Sequence, residues 1–235
     1  TEVGHLKRKK MKTLYVNGDS HTSGTYLDMW DNYNDCFAGL LSKRLGLKYI
    51  NHALAGGSNA RIIRTSKEYL EKQGNKDTIV LIGWSHPIRT EWYINNKWLQ
   101  IAPGELYEVK QNPYLHKMWK AYINTLWDDK FNAIHLNRTV EQQYMIAEFS
   151  KWLYDKGMKH LFFHAKHSFF YKKNIFEMEW TSNPWLHKQP YNPTIAFCDF
   201  CQSKGHVADE HSHYSMEAHK DYADFVEADL KALIT

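Results

Sequence analysis

The sequence predicts a three-layer α/β/α sandwich built on a central parallel sheet. Three observations lead there. Short β-prone runs alternate with segments of helical period. One of those runs, Thr78–Gly83 (TIVLIG), is apolar throughout, as a strand covered on both faces must be. At 235 residues, 43% of them hydrophobic and 24% charged, the chain is long enough for one sizeable core and too apolar to be disordered. The net charge of +4 comes largely from LKRKK near the start, so the remainder is close to neutral, and no nucleic-acid partner is expected. No run approaches the roughly 18–20 apolar residues of a membrane span.

Residues 1–10 read as a tag or flexible arm ahead of Met11, leaving 11–235 as one domain. No apolar h-region follows the basic start. The expected location is therefore the cytoplasm, or another route without a classical signal peptide. The three cysteines, Cys36, Cys198 and Cys201, cannot all pair internally, which suits a reducing compartment or one weak bridge.

The elements follow in order. Thr13–Asn17 is the first strand and runs into Gly18-Asp19-Ser20. A helix over about Asp35–Leu45 spaces Phe37, Leu40, Leu41 and Leu45 along one face, with Gly46 as its stop. Leu47–Leu54 is the second strand, and Ser58 or Asn59 caps a helix reaching about Lys72. Thr78–Gly83 is the third strand. Trp92–Ile94 and Lys97–Ile101 flank Asn95-Asn96, a tight hairpin turn. Together with a helical segment around Leu115–Trp127 they form an aromatic-rich insertion over about 88–138, after the third strand. Alternation resumes with a helix over Val140–Asp155, where Thr139 and Gln142 have capping-box spacing. Leu161–Ala165 is the next strand, and 168–194 is irregular, with Pro184, Pro190 and Pro193. A short strand around Thr194–Phe197 and an amphipathic helix over Met216–Leu233 complete the chain.

Ligands in such sheets lie beyond the carboxyl ends of the strands, so each strand-to-loop junction is a candidate site. A serine directly after the first strand, preceded by a flexible glycine and close to a helix start, is well placed as a nucleophile facing backbone N–H groups. Its base and the carboxylate that orients the base can come from one loop. Asp209-Glu210-His211-Ser212-His213 runs straight into the last helix and offers both.

These blocks, in this order, resemble the SGNH (GDSL-like) hydrolase superfamily. Gly18-Asp19-Ser20 is similar to the first block, with Ser20 in the place of the nucleophile. Asn51-His52-Ala53-Leu54-Ala55-Gly56-Gly57-Ser58-Asn59 is similar to the second, where a glycine N–H, Gly56 or Gly57, joins the oxyanion hole. Gly83-Trp84-Ser85-His86 corresponds to the third, normally Gly-x-Asn-Asp. His213, with Ser215 two positions on and His219 six on, fits the last block and is implied as the base. Two departures stand out. Ser85 replaces the asparagine that donates to the oxyanion, with Asn59 as a substitute donor. Glu210 stands three residues before His213 where the family has Asp, while Asp209 is one residue further away.

The resemblance implies a flavodoxin-like sandwich and a serine esterase that removes O-acetyl or other short acyl groups, with no cofactor and no metal. Its partner is a small-molecule or carbohydrate ester. The alternative is a catalytically idle module that binds a glycan or a protein in the same cleft.

Trp84, His86 and Arg89 are expected to line the substrate site. Five of the nine tryptophans (Trp84, Trp92, Trp98, Trp119 and Trp127) fall in or just before the insertion, where they stack on sugars or form its own small core. Arg89 and Glu91 are placed to pair with each other. Arg61 and Arg64, near the start of the helix after the second block, either meet an anionic substrate or face solvent. Cys198-x-x-Cys201 followed by His206, His211 and His213 has some look of a zinc site, but no second spaced pair accompanies it and His213 has another role.

Overall fold

The computed structural model describes residues 11–24, 34–103, 107–127, 132–166 and 191–235. The arm at 1–10 and most of the proline-bearing stretch 168–194 lie outside them. The strands are β1 (Thr13–Asn17), β2 (Lys48–Asn51), β3 (Thr78–Trp84), β4 (Thr90–Ile94), β5 (Lys97–Ile101), β6 (Lys159–His164) and β7 (Tyr191–Ala196). The helices are α1 (Ser20–Ser23), α2 (Phe37–Leu45), α3 (Asn59–Gln73), α4 (Tyr107–Gln111), α5 (Pro113–Trp127), α6 (Asn132–Asp155), α7 (Phe197–Ser203) and α8 (Met216–Ile234).

Five strands form one sheet in the order β2-β1-β3-β6-β7, every pair parallel. This is the doubly wound order, in which the chain reverses direction between β1 and β3 and opens a crevice at the strand ends. Alternating side chains divide the core into two layers. Leu14 and Val16 of β1, Ile79 and Leu81 of β3, and Leu161 and Phe163 of β6 pack under α2 and α8. Tyr15, Val80, Ile82, Trp84 and Phe162 face the other way, onto Ile62 and Leu70 of α3 and Ile146, Phe149 and Leu153 of α6.

The registers matter for the site. Val16 lies opposite Asn51, Asn17 opposite Ile82, and Trp84 opposite His164. Parallel strands in this register end along one edge, so the loops after β1, β2 and β3 emerge side by side. Helix α8 packs on α2 through Tyr222 against the Phe37 ring, at 5.0 Å. Arg44 of α2 also bonds Asp224 and Glu227 of α8.

Several expected boundaries shift for local reasons. β2 ends at Asn51 rather than Leu54, because the Asn51 Oδ1 accepts the Ala53 N–H at 2.9 Å and turns the chain out of the sheet. The helix expected from Val140 begins at Asn132. Thr139 is therefore a buried residue inside α6, not its cap. The Asn95-Asn96 hairpin forms as expected, with φ of 50° and 61° at the two turn residues. The hairpin and the following helices share a small core of Ile101, Val109 and Leu115, covered by Trp92, Trp119 and Tyr122.

Candidate active site

The first loop is shaped by side chains that fold back on the backbone. Asn17 anchors the end of β1 to α3: its amide donates to the Ile62 carbonyl and the Thr65 and Ser66 hydroxyls, while its Oδ1 accepts the Gly18 N–H at 2.9 Å. Asp19 then caps a single turn of helix, its Oδ1 accepting the His21 N–H, and Gly24 at φ 75° ends that turn. Gly18 has no room for a side chain, since a Cβ there would lie 2.3 Å from Thr22 Oγ1. The result is a tight strand-to-helix turn that carries Ser20 as its first helical residue, where the N–H has no intrahelical acceptor.

The second half of the site arrives from the other end of the chain. Asp209 closes a compact loop: its N–H donates to the His213 carbonyl at 2.8 Å, and its Oδ1 accepts the N–H groups of His211 and His213 at 2.9 and 2.8 Å. Ser215 caps α8 by accepting the Ala218 N–H, so the loop is held at both ends. The His213 ring lands on the β1 turn, with Nε2 2.9 Å from Ser20 Oγ. On its other side, Nδ1 is 3.8 Å from Asp209 Oδ1. Glu210 points away; its side chain is 86% exposed and faces His211. Of the two expected carboxylates, the structure brings Asp209 to the imidazole and leaves Glu210 in solvent. Burial holds His213 below the usual imidazole pKa, while the negative charges of Asp209 and Asp19 act to raise it.

The four expected oxyanion residues separate. Gly57 donates its N–H to the Leu54 carbonyl at 2.9 Å, whereas the Gly56 N–H, at φ 73°, has no acceptor among the described residues. Asn59 is spent on backbone: it donates to the Ser85 carbonyl at 2.9 Å and accepts the Ser85 N–H at 2.7 Å. The Ser85 hydroxyl lies 3.4 Å from Asp19 Oδ2 and accepts from Arg89 Nη1 at 2.8 Å. Arg89 Nη1 also meets Asp19 Oδ2 at 2.9 Å. Trp84 is not a lining residue. Its ring is 1% exposed and packs edge-on against Phe149 and Phe162, because its place on β3 turns it into the α3/α6 layer. His86 is half-buried and accepts the Ile88 N–H, shaping the turn toward β4.

A sequence profile described as a family of unknown function, DUF6071, matches residues 19–179, well over half of the chain. The chain belongs to that family. No curated protein matches its sequence.

Solved structures resemble this DUF6071 member along nearly its whole length. TesA is 16% identical with a TM-score of 0.54, covering 94% of this chain and 99% of its own. The psychrotrophic esterase EstA from Pseudoalteromonas sp. is 11% identical with a TM-score of 0.56, covering 94% and 97%. The lipase Lip_vut3 from a goat rumen metagenome is 11% identical with a TM-score of 0.56, covering 95% and 97%. At these identities the likeness is one of fold: the DUF6071 chain has the SGNH hydrolase-like α/β/α architecture.

Other expected pairings rearrange. Glu91 bonds Arg64, at 3.0 and 2.8 Å, rather than Arg89, and Arg64 also stacks on Trp98. Arg61 is turned inward onto the His52 carbonyl. Cys198 and Cys201 lie on α7, buried as free thiols. Among the described residues, no group of three or more His, Cys, Asp or Glu is arranged to hold a metal ion.

Two features of the site were not read from the sequence. One is the Asp19–Arg89 ion pair. The other is His21, whose ring lies 5.1 Å from that of His213 and whose Nε2 is 3.8 Å from Cys198 Sγ. Both depend on contacts between distant segments. Only the position of His21, next to Ser20, hinted at a place in the site.

Proposed function

We propose that this DUF6071 member is a serine ester hydrolase that removes O-acetyl or other short acyl groups from a carbohydrate or similar ester. The observation that carries the reading is the 2.9 Å approach of His213 Nε2 to Ser20 Oγ, inside the range a nucleophile and its base require. Ser20 Oγ forms a bond to the ester carbonyl carbon as its proton moves to His213 Nε2. The carbonyl π electrons move onto oxygen, where the N–H groups of Ser20 and Gly56 receive the charge. Collapse breaks the bond to the alkoxide, which takes the proton from His213. Water then repeats the sequence on the acyl-serine, releasing the acid and Ser20.

Asp209, 3.8 Å from Nδ1, stabilises the charged form of the imidazole through its negative charge. The depressed pKa of His213 keeps the ring neutral, and so able to accept a proton, at neutral pH. Support for a sugar partner comes from the hairpin. Tyr93 and Trp98 are cross-strand neighbours, 58% and 46% exposed, and their strands reach the second-block loop through Gln100, which accepts the Ser58 N–H.

The test is turnover of p-nitrophenyl acetate by the wild type and by Ser20→Ala, together with fluorophosphonate labelling. The expected result is turnover and labelling that both vanish with Ser20. EstA, one of the similar structures, is described as inhibited by monoethylphosphonate, which makes a phosphonate a reasonable probe here. A second reading, an idle glycan- or protein-binding module, draws on the fact that Asn59 and Ser85 are both engaged elsewhere. Wild-type turnover no higher than that of Ser20→Ala across several acyl lengths, without labelling, favours it.

A further inference from the structure

We infer that Arg89 occupies the oxyanion-hole role that the superfamily resemblance assigns to an asparagine at position 85, its guanidinium held there by Asp19 and the Ser85 hydroxyl. The inference deepens the esterase reading and rests on it.

The hydroxyl of serine ends one bond short of the amide nitrogen of asparagine, so Ser85 alone cannot reach where the amide would. Its hydroxyl is extended by one hydrogen bond to Arg89 Nη1, at 2.8 Å. The same nitrogen is 2.9 Å from the carboxylate of Asp19, the residue immediately before Ser20. The guanidinium is thereby fixed beside the nucleophile's own turn, at the edge where the β1 and β3 loops emerge. Asp19's side chain is 1% exposed and that of Arg89 17%, so the pair is held in a largely dry place, where a fixed charge acts strongly on a developing one.

Arginine carries five N–H donors in a rigid fork. Among the described residues only Nη1 is engaged, which leaves Nε and Nη2 to donate. The charge reaches the catalytic dyad as well, for Arg89 opposes a positive charge on both His21 and His213. Arg89 therefore offers the oxyanion charged N–H donors at close range while Asp19 offsets its charge further out, and its own charge works against the imidazolium that forms in the same step. The groups facing His213 sort accordingly: Asp209 and Asp19 favour its charged form, and Arg89 and His211 oppose it.

The experiment compares kcat, KM and the pH profile on p-nitrophenyl acetate for the wild type, Arg89→Ala and the double variant Ser85→Asn/Arg89→Ala. Expected are a kcat loss of about 10²–10³-fold in Arg89→Ala with KM changed less than about threefold. The acid limb should move to higher pH, because a charge opposing imidazolium is gone. Restoring asparagine at position 85 should recover at least about tenfold of kcat.

A kcat for Arg89→Ala within about threefold of wild type overturns the inference. So does a loss that Ser85→Asn leaves untouched in a protein that melts normally, since Arg89 then only braces Asp19. If Arg89→Ala does not fold, Arg89→Lys keeps the ion pair and loses the fork; kcat about tenfold lower supports the inference, and unchanged kcat overturns it. A wild-type protein without Ser20-dependent turnover or labelling would instead remove the esterase reading itself.

Discussion

Replacing Asp209 by Asn removes a charge while keeping the side-chain oxygen that accepts the His211 and His213 N–H groups, so the loop that delivers His213 survives. What is lost is attraction between Asp209 and the imidazolium across 3.8 Å. At that separation two unit charges interact by roughly 1 kcal/mol in water and about 4 kcal/mol at an effective dielectric near 20. The Asp209 side chain is 43% exposed, which places the effect toward the watery end, at about 1–2 kcal/mol, or roughly a five- to thirtyfold loss of kcat/KM. The pH profile has a definite sign. Asp209 raises the His213 pKa, so its removal lowers that pKa further, and the acid limb of kcat/KM moves to lower pH. Glu210→Gln, altering a side chain that faces solvent, should stay within about twofold of wild type. A pH series of p-nitrophenyl acetate hydrolysis on the two variants decides the matter. A larger loss in Glu210→Gln than in Asp209→Asn, or a limb that moves upward in Asp209→Asn, would refute the assignment of Asp209.

Three further outcomes follow from the packing. Trp84→Ala should destabilise the protein by about 3–5 kcal/mol, because a fully buried ring is removed from its place against Phe149 and Phe162; a thermal melt should fall by roughly 6–20 °C. Gly83→Ala should cost about 1–3 kcal/mol in chemical denaturation, since the new Cβ would sit 2.2 Å from Thr22 Oγ1 and 2.6 Å from the Phe163 ring; an unchanged midpoint would contradict that packing. Burial holds His21 and His160 down to about 4 and His164 and His219 down to about 3. Between those values and the ordinary histidine pKa near 6.5 the unfolded chain binds more protons than the folded one. Stability is therefore full above about pH 6.5 and falls as the pH drops toward 4. Urea midpoints that stay flat from pH 7 to pH 4.5 would show that these rings are not buried.

The legible parts of the site were those written in short, local stretches. Gly18-Asp19-Ser20 announces a turn whatever surrounds it, and Asp209 and His213 share one loop, so both could be read in the chain and the 2.9 Å contact between Ser20 and His213 then depended on the predicted topology alone. Position 84 was misread because a tryptophan after a buried strand looks the same whether its face points to the cleft or to α6; strand parity decides, and parity needs the exact end of β3. Thr139 was misread for a similar reason. Its spacing to Gln142 is that of a cap, but the helix continues seven residues upstream, to Asn132. Asn59 was available as a donor until folding brought the Ser85 backbone onto its amide.

The amino-acid order by itself determined most of the order of elements and singled out Ser20 and His213 as candidates, because periodicity and turn chemistry act over a few residues. Which carboxylate lies beside His213, and which one pairs with Arg89, was decided only by the tertiary structure. Asp209 and Glu210 are neighbours with the same charge, and the loop's hydrogen bonds turn one inward and leave the other outside. Arg89 had Glu91 two residues away, yet it meets Asp19, seventy positions earlier, because the parallel register of β1 and β3 places their loops together.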